Sequence, residues 1–169
     1  MKKYFSKFKA SGTSPQSVTV QFSIVSAIGA FVAIAVNAIL AQTFDVPMMM
    51  APFGATCVLA FGVPESPLAQ PRNIIGGHLI STVVGLSCLS LLGEHWYTLA
   101  IGVAFALAAM QLTKTTHPPA GADPLVTILG AYHWDFVIKP VLLGSVVITI
   151  IALLFNNISR SRTYPKYWW

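Results

Sequence analysis

The sequence predicts an all-α membrane protein whose chain crosses the bilayer several times. Of its 169 residues, 55% are hydrophobic and only 9% are charged, and the mean hydropathy is +0.71. A soluble domain carries about 25% charged residues, so this chain has too few of them to cover a water-facing surface. Several apolar runs approach the roughly 20 residues of a membrane-spanning helix. This composition excludes a soluble domain, a disordered chain and a disulfide scaffold.

Six apolar segments follow one another along the chain, and the sequence predicts four long transmembrane helices and two short, broken segments. The long segments are residues 18–40, 74–92, 96–112 and 136–155. The short segments are residues 48–63 and 116–134. Both short segments begin with proline and glycine, which interrupt a helix. Only Gly93, Glu94 and His95 separate the third and fourth segments, which predicts a tight helical hairpin.

The charged ends of the chain frame one predicted transmembrane domain, residues 18–158. Residues 1–17 are predicted to form a basic arm, and residues 159–169 a basic and aromatic tail. The tail aromatics are expected to lie at the membrane interface; they are Tyr164, Tyr167, Trp168 and Trp169. Most of the ten basic residues lie in these two ends; they are Lys2, Lys3, Lys7, Lys9, Arg160, Arg162 and Lys166. Because basic residues favour the cytoplasmic side, both termini are expected there.

The chain also resembles itself, which predicts two related halves at residues 18–92 and 96–158. Residues 52–56 align without a gap with residues 119–123, and the same shift places Arg72 on Lys139. Each half then contains a long, a short and a long segment. If the short segments cross the membrane, the halves are inverted; if they re-enter, four spans remain and the halves are parallel. Six crossings leave only Lys139 among the basic residues outside the cytoplasm, which favours the inverted repeat.

The second short segment has the features of a half-length helix. Pro118 and Pro119 lack backbone donors and predict an extended stretch. Asp123 followed by Pro124 predicts an N-cap and a first helical residue. A helix ending near His133 would then cross only half of the bilayer, at about 1.5 Å per residue. Non-helical backbone is tolerated at that depth only inside protein or beside a wet cavity.

Two such half-helices predict a binding site for a small anion near the membrane midplane. In the first half, Thr56 occupies the position of Asp123. Helix N-termini present unpaired N–H groups and about half a positive charge, so the amides after Gly54 and Gly121 are expected to hold the anion. The predicted substrate-binding residues are Pro52, Gly54, Ala55, Thr56, His117, Pro118, Pro119, Gly121, Ala122 and Asp123.

Three further residues are predicted to act in gating or in electrostatic attraction. His78, like His117, is an ionisable residue in an apolar segment and therefore a functional candidate, although it can also be a hydrogen-bonded histidine of the helix bundle. Arg72 and Lys139 can draw anions towards the site or simply extend to the lipid headgroups. Asp123 would repel an anion unless it were protonated, turned away or paired with a cation. Its protonation would couple the anion to a proton.

Nothing in the sequence indicates an enzyme, a cofactor or a metal site. The four histidines are not at ligand spacing, and Cys57 and Cys88 offer no paired ligand. The chain contains no nucleophile-elbow, phosphate-loop, dinucleotide-binding or zinc-protease motif. We therefore expect no catalytic activity, no cofactor, no bound metal and no nucleic-acid partner.

Residues 117–124, H-P-P-A-G-A-D-P, resemble the HPP family of small integral membrane proteins, which is named for its His-Pro-Pro motif. The similarity extends to residues 51–56 and 70–78 and covers roughly residues 18–158. The family is described as having four transmembrane helices, which differs from the six crossings favoured above. Members from plant plastids and cyanobacteria are regarded as nitrite transporters. The resemblance thus implies transport of nitrite or a similar small monovalent anion.

The sequence and the resemblance together predict a transporter of a small monovalent inorganic anion, with nitrite first, working by alternating access or as a channel. The expected location is a bacterial plasma membrane. A homo-oligomer is expected, because one chain of this length encloses only a thin pathway. Two alternatives stay open. One is a membrane assembly or sensor subunit that transports nothing, and the other is a cation or metal transporter that uses Asp123 and His117.

Overall fold

The computed structural model describes residues 2–8, 12–14, 17–159 and 162–168. Lys9, Arg160 and Trp169, which the sequence analysis assigns to the basic arm and the tail, lie outside the described residues. Within the described part, a helical turn at Lys2–Phe5 precedes six α-helices of seven or more residues. These are α1 Val20–Phe44, α2 Ala51–Gly62, α3 Pro71–Leu92, α4 Trp96–Leu112, α5 Asp123–Leu129 and α6 Leu143–Asn156.

Three helical stretches are long and apolar enough to cross a membrane. They are Val20–Phe44, Pro71–Leu92 and Trp134–Asn156, the last of which contains a kink at Lys139 before α6. The predicted all-α membrane architecture is confirmed, and these stretches match three of the four predicted long helices. The fourth, α4, has 17 residues, or about 26 Å at 1.5 Å per residue. It is shorter than a typical span, as is the 12-residue α2.

Local sequence signals explain where the helices begin and end. Thr19 caps α1, its side chain accepting a hydrogen bond from the backbone N–H of Phe22 at 3.2 Å. Both α2 and α3 have a proline in the first turn, Pro52 and Pro71, where a missing N–H costs nothing. The predicted hairpin between α3 and α4 is confirmed, and Gly93 turns it with φ +71°, a left-handed value that favours glycine.

The helices pack around α3, which contacts α4, α5 and α6, while α1 packs against α2 and α6. Glycines allow several of these close approaches. The ring of Phe53 lies directly over Gly144, and the rings of Phe61 and Phe155 lie over Gly29. Buried apolar side chains from α1, α2, α3 and α6 form the core. Small residues at helix contacts are typical of membrane bundles, where close van der Waals packing supplies the association energy.

The α3–α5 contact depends on Gly85, and substitution there should be costly. A Cβ at residue 85 would lie 2.7 Å from Pro124 Cα and still closer to the Thr127 hydroxyl. We expect Gly85→Ala to destabilise the protein by about 1–3 kcal/mol, the usual cost of overpacking, measured as a lower thermal midpoint in detergent. Gly54→Ala is the matched control, because a Cβ there meets nothing within 4 Å. Equal midpoints for the two variants would contradict this account of the contact.

The two short segments differ from each other more than the sequence predicts. The prediction that a helix begins near Thr56 is wrong, because α2 begins at Ala51 and Thr56 lies inside it. In the second half, α5 begins at Asp123, close to the predicted position, but ends at Leu129 and not near His133. Asp123 is not the N-cap; Ala122 takes that position without a side-chain bond.

The predicted extended stretch before α5 is also wrong. Pro118–Ala122 forms a 3-10 turn, and only the residue before it, His117, is extended, with φ −136° and ψ 103°. Proline has no N–H to donate but its φ suits the first residues of a helical turn. The Ala120 N–H closes this turn by donating to the His117 carbonyl at 3.0 Å.

Candidate functional site

Four buried polar side chains from separate elements form one hydrogen-bonded row, here called the polar chain. Its members are Asp123 of α5, His78 of α3, Thr56 of α2 and His117, which precedes the 3-10 turn. Each is 0% exposed. Burying an isolated polar group carries a large desolvation free energy. The hydrogen bonds between these four side chains offset that free energy inside an apolar protein.

Residues on α3 shape the place where the polar chain forms. Gly77 allows the segment after α4 to approach, since a Cβ there would lie 2.7 Å from His117 Cβ and 2.9 Å from the Thr115 carbonyl oxygen. One turn later, Ser81 donates to the Ala120 carbonyl and holds the 3-10 turn. The Thr82 hydroxyl lies 3.4 Å from Asp123 Oδ2. Residues 78 and 82 share a helix face because they are four positions apart.

Hydrogen-bond logic fixes the proton on His117. Its Nδ1 lies 2.8 Å from the Leu68 carbonyl oxygen, and a carbonyl only accepts, so Nδ1 carries the hydrogen. In the neutral ring Nε2 then accepts. Its partner is the Thr56 hydroxyl at 3.0 Å, which therefore donates its single hydrogen to His117.

The protons on His78 and Asp123 follow from the hydrogen that Thr56 donates. The oxygen of Thr56 has given its hydrogen to His117, so it accepts from His78 Nε2–H at 2.8 Å. His78 Nδ1 lies 2.8 Å from Asp123 Oδ2, and one proton lies between these two atoms. The pair is neutral overall whether it is a carboxylic acid beside an imidazole or a carboxylate beside an imidazolium. A neutral pair is compatible with complete burial.

A further hydrogen-bond acceptor lies at each end of the polar chain. Asp123 Oδ1 is buried and has no hydrogen-bond partner among the described residues, so the carboxyl group can accept one more hydrogen bond. At the other end, the Pro52 carbonyl oxygen lies 3.2 Å from the Thr56 hydroxyl. If His117 Nε2 gained a proton, the hydroxyl could turn to Pro52 and accept from both histidines. The geometry therefore permits a proton to be added without an unpaired donor.

An apolar groove lies beside the polar chain, between the first two turns of α2 and the Pro118–Ala122 turn. Its volume is about 650 Å³. Its walls are Ala51, Pro52, Ala55, Val58, Leu59, Pro118, Pro119, Ala122, Leu125 and Val126. The two Pro/Gly motifs of the sequence therefore converge in space near the first residues of α2 and the N-cap of α5, and the walls between them are apolar.

The structure separates the predicted binding residues into two groups. Thr56, His117 and Asp123 belong to the polar chain, together with His78 from the gating group. The other predicted binding residues, apart from the two glycines, line the groove; they are Pro52, Ala55, Pro118, Pro119 and Ala122.

The two glycines of the predicted anion site lie in different surroundings. Gly54 lines a different groove, with Ala30 and Phe31 of α1, and a Cβ at Gly121 would meet nothing within 4 Å. The amide after Gly54 is the fifth of α2; only the first four N–H groups of a helix are unpaired. The amide after Gly54 therefore does not suit the predicted anion site, whereas the role of the amide after Gly121 stays a prediction.

The two basic residues of the gating group lie near the starts of the helical segments that follow them. Arg72, at the start of α3, donates to the Thr113 carbonyl at 2.7 Å. Lys139 is exposed at the kink before α6. The electrostatic role of these two residues stays a prediction.

Sequence reasoning missed the residues that support the polar chain. Ser81 and Thr82 follow His78 by three and four positions, so a search for polar residues on the face of a membrane-embedded histidine would have found them. The Leu68 carbonyl could not be found in this way, because a backbone acceptor leaves no mark in the sequence.

The described residues contain no group of three or more histidine, cysteine, aspartate or glutamate side chains that could hold a metal ion. His78 and His117 have both ring nitrogens engaged in hydrogen bonds. A metal would have to displace those partners, so the present donor set fits a proton better than a cation.

Comparison with known proteins agrees with this membrane architecture. The family model described as HPP, transmembrane region, matches residues 15–165. Two Dictyostelium discoideum proteins named as transmembrane proteins are similar. One is 34% identical over 98% of this chain and 57% of its own length, and the other 38% identical over 72% of this chain and 46% of its own length. The chain thus spans about half the length of these relatives. No solved structure matches it. A match across nearly the whole described domain shows the relationship, and this multi-pass membrane protein belongs to the HPP transmembrane region family.

Proposed function

We propose that this protein transports a small monovalent anion across the membrane together with a proton, and that nitrite is the first candidate. The observation that carries the proposal is the polar chain, a fully buried, hydrogen-bonded row that ends in a carboxyl group with one oxygen lacking a partner among the described residues. Ionisable residues within membrane segments commonly mark proton relays or substrate pathways.

The groove beside the polar chain supports a specific class of substrate. Its walls carry no charged side chain, and a bare anion is disfavoured between apolar walls. An anion that takes up a proton becomes neutral and can pass. Nitrite and formate are anions of weak acids and can take a proton from a donor of similar strength, such as the Asp123–His78 pair, whereas nitrate and chloride are anions of strong acids and cannot. The proposal therefore favours the weak-acid anions.

The finer architecture is part of the same proposal. We infer two inverted repeats, residues 18–92 and 96–158, with the polar chain at their meeting point because Thr56 and Asp123 occupy matching positions. Both termini would face the cytoplasm of a bacterial cell. A homo-oligomer would cover the groove. Arg72 and Lys139 would raise the local anion concentration, and no catalytic step or cofactor is invoked.

Uptake into liposomes containing the purified protein tests the proposal. With the outside more acidic than the inside, we expect protein-dependent uptake of nitrite and formate to exceed that of nitrate and chloride at least about 10-fold, which corresponds to 1.4 kcal/mol of discrimination. The preference should shrink when the proton gradient is collapsed.

Protein-free liposomes are the essential control, because neutral weak acids also cross a bare bilayer. Equal uptake of all four anions would overturn the weak-acid selectivity. If no anion entered faster than in protein-free liposomes under any gradient, the transport proposal would fail, and a non-transporting assembly or sensor role would take its place. Stimulated metal uptake would instead favour the cation alternative that uses Asp123 and His117.

A further inference from the structure

The segment after α6 folds back over the helix bundle as a strap, defined here as residues 162–168. The prediction that its aromatic residues lie at the membrane interface is wrong for Tyr164, which is only 2% exposed and belongs to the apolar core. Tyr167 and Trp168 are more exposed. The burial of Tyr164 shows that the tail packs against the helices and is not only a lipid anchor.

Arg162 fastens the strap at its first residue. Its guanidinium group donates to the Phe61 carbonyl at 3.2 Å, to Asn156 Oδ1 at 3.1 Å and to the Ser26 hydroxyl at 3.0 Å. It also lies 4.2 Å from the centre of the Phe22 ring. Because a guanidinium group has five donors in a fixed plane, one residue ties the strap to α1, α2 and α6 at once.

Beyond this anchor, the strap grips the 3-10 turn Pro67–Ala69 on both sides of Leu68. The Tyr164 hydroxyl donates to the Ala69 carbonyl at 2.8 Å, and the Tyr167 hydroxyl donates to the Pro67 carbonyl at 2.6 Å. The carbonyl between these two, that of Leu68, is the one that accepts from His117 Nδ1. Burial raises the pKa of the Tyr164 hydroxyl, so it stays a donor throughout the physiological range.

Two further contacts tie the strap to the same place. The Lys166 backbone N–H donates to Gln70 Oε1 at 2.7 Å, directly after the turn. The Tyr167 hydroxyl also lies 3.1 Å from Asn73 Oδ1, and the Asn73 amide donates to the Thr116 carbonyl at 2.9 Å. Thr116 is the residue before His117. The strap therefore reaches His117 both through its acceptor and through its own backbone.

We propose that Tyr164 and Tyr167 are positioning residues that hold the Leu68 carbonyl against His117 and thereby fix the direction in which the polar chain donates. With the carbonyl in place, His117 keeps its proton on Nδ1, Thr56 donates towards His117, and His78 donates towards Thr56. The reversed order would leave a bare Nδ1 facing a carbonyl oxygen, two acceptors without a hydrogen between them. Without the strap, both orders become available.

Nitrogen NMR of the imidazole rings tests this directly, because a protonated and a bare ring nitrogen have widely separated ¹⁵N shifts. Purified protein is labelled with ¹⁵N-histidine, and the His117 signals are assigned by their loss in His117→Gln. The wild type should show one protonated and one bare nitrogen for His117. In the double variant Tyr164→Phe/Tyr167→Phe, both His117 signals should move towards a common averaged value.

Tyr97→Phe is the matched control, since Tyr97 lies on α4 outside the strap and its ring stacks on His95. Unchanged His117 signals in the double variant would overturn the proposal, as would an equal change in Tyr97→Phe. If the double variant does not fold, Tyr167→Phe alone is decisive, because that side chain is partly exposed and removing its hydroxyl leaves no cavity. The same change in the His117 signals would support the proposal, and unchanged signals would overturn it.

The consequence for transport rests on the proposed function, and the two can fail separately. If the strap acts as described, the double variant should also shift the pH profile of nitrite uptake, whereas Tyr97→Phe should not. Altered His117 signals in a protein that moves no anion would support the strap and reject the transporter. Normal uptake with a shifted pH profile but unaltered His117 signals would reject the strap and keep the transporter.

Discussion

Replacing Asp123 by asparagine should remove the response of nitrite uptake to a proton gradient and leave the protein folded. Asparagine has nearly the same shape, and its amide can donate to His78 Nδ1, so the hydrogen bond now at 2.8 Å survives. The amide holds no proton that it can release, so the polar chain loses its exchangeable proton. We expect gradient-driven uptake to fall at least about 100-fold, the lower end of what loss of a positioned proton donor costs.

The measurement is the initial rate of nitrite uptake into liposomes across a series of imposed pH differences. Asp135→Asn is the matched control, because Asp135 is an exposed acid in the turn before α6 and should leave the response unchanged. A fully retained gradient response in Asp123→Asn would show that the proton does not travel through this carboxyl group.

Thr56→Val should produce the largest loss of stability among conservative substitutions in the membrane domain. Valine fills the same volume, but it offers neither a donor to His117 nor an acceptor to His78, both of which bond to Thr56. Two ring nitrogens would then be buried without partners. At about 1–3 kcal/mol for each unpaired buried group, we expect a loss of roughly 2–6 kcal/mol, read as a lower midpoint of thermal unfolding in detergent.

Two variants isolate the hydroxyl as the cause. Thr56→Ser keeps the oxygen and its hydrogen, and should stay within about 1 kcal/mol of the wild type, allowing for one lost methyl group. Thr98→Val removes a buried hydroxyl that has no hydrogen-bond partner among the described residues, so it should be neutral or stabilising. The polar chain would not be a connected unit if Thr56→Val and Thr98→Val had the same midpoint.

The breaks in the chain illustrate how far local sequence signals reach. Pro118 and Pro119 correctly mark an interruption, and the Asp-Pro pair marks the start of α5 within one residue. The same signals do not distinguish an extended stretch from a 3-10 turn, because proline's φ suits both. In the first half, the motif around Thr56 does not break α2 at all, since a proline in the first turn of a helix is fully tolerated.

For the candidate site, the sequence identifies the residues but not their arrangement. Thr56, His78, His117 and Asp123 can all be selected from sequence, because polar residues in apolar segments are conspicuous. The hydrogen-bonded row that these four side chains form cannot be predicted from the sequence, nor can the place of Gly54 beside a different groove. Thr56 and His117 are 61 residues apart in the chain and 3.0 Å apart in space.

Composition and the pattern of apolar runs determine that this chain is a membrane protein, that it is helical, and that its second half is interrupted before α5. These properties depend on the transfer of each segment into lipid and on backbone geometry, and both act within a few residues. Only the tertiary structure decides which buried groups share a proton, which way they donate, and that a tail expected at the lipid surface grips the turn beneath His117. Those outcomes depend on hydrogen bonds between distant segments, which exist only once the helices have packed.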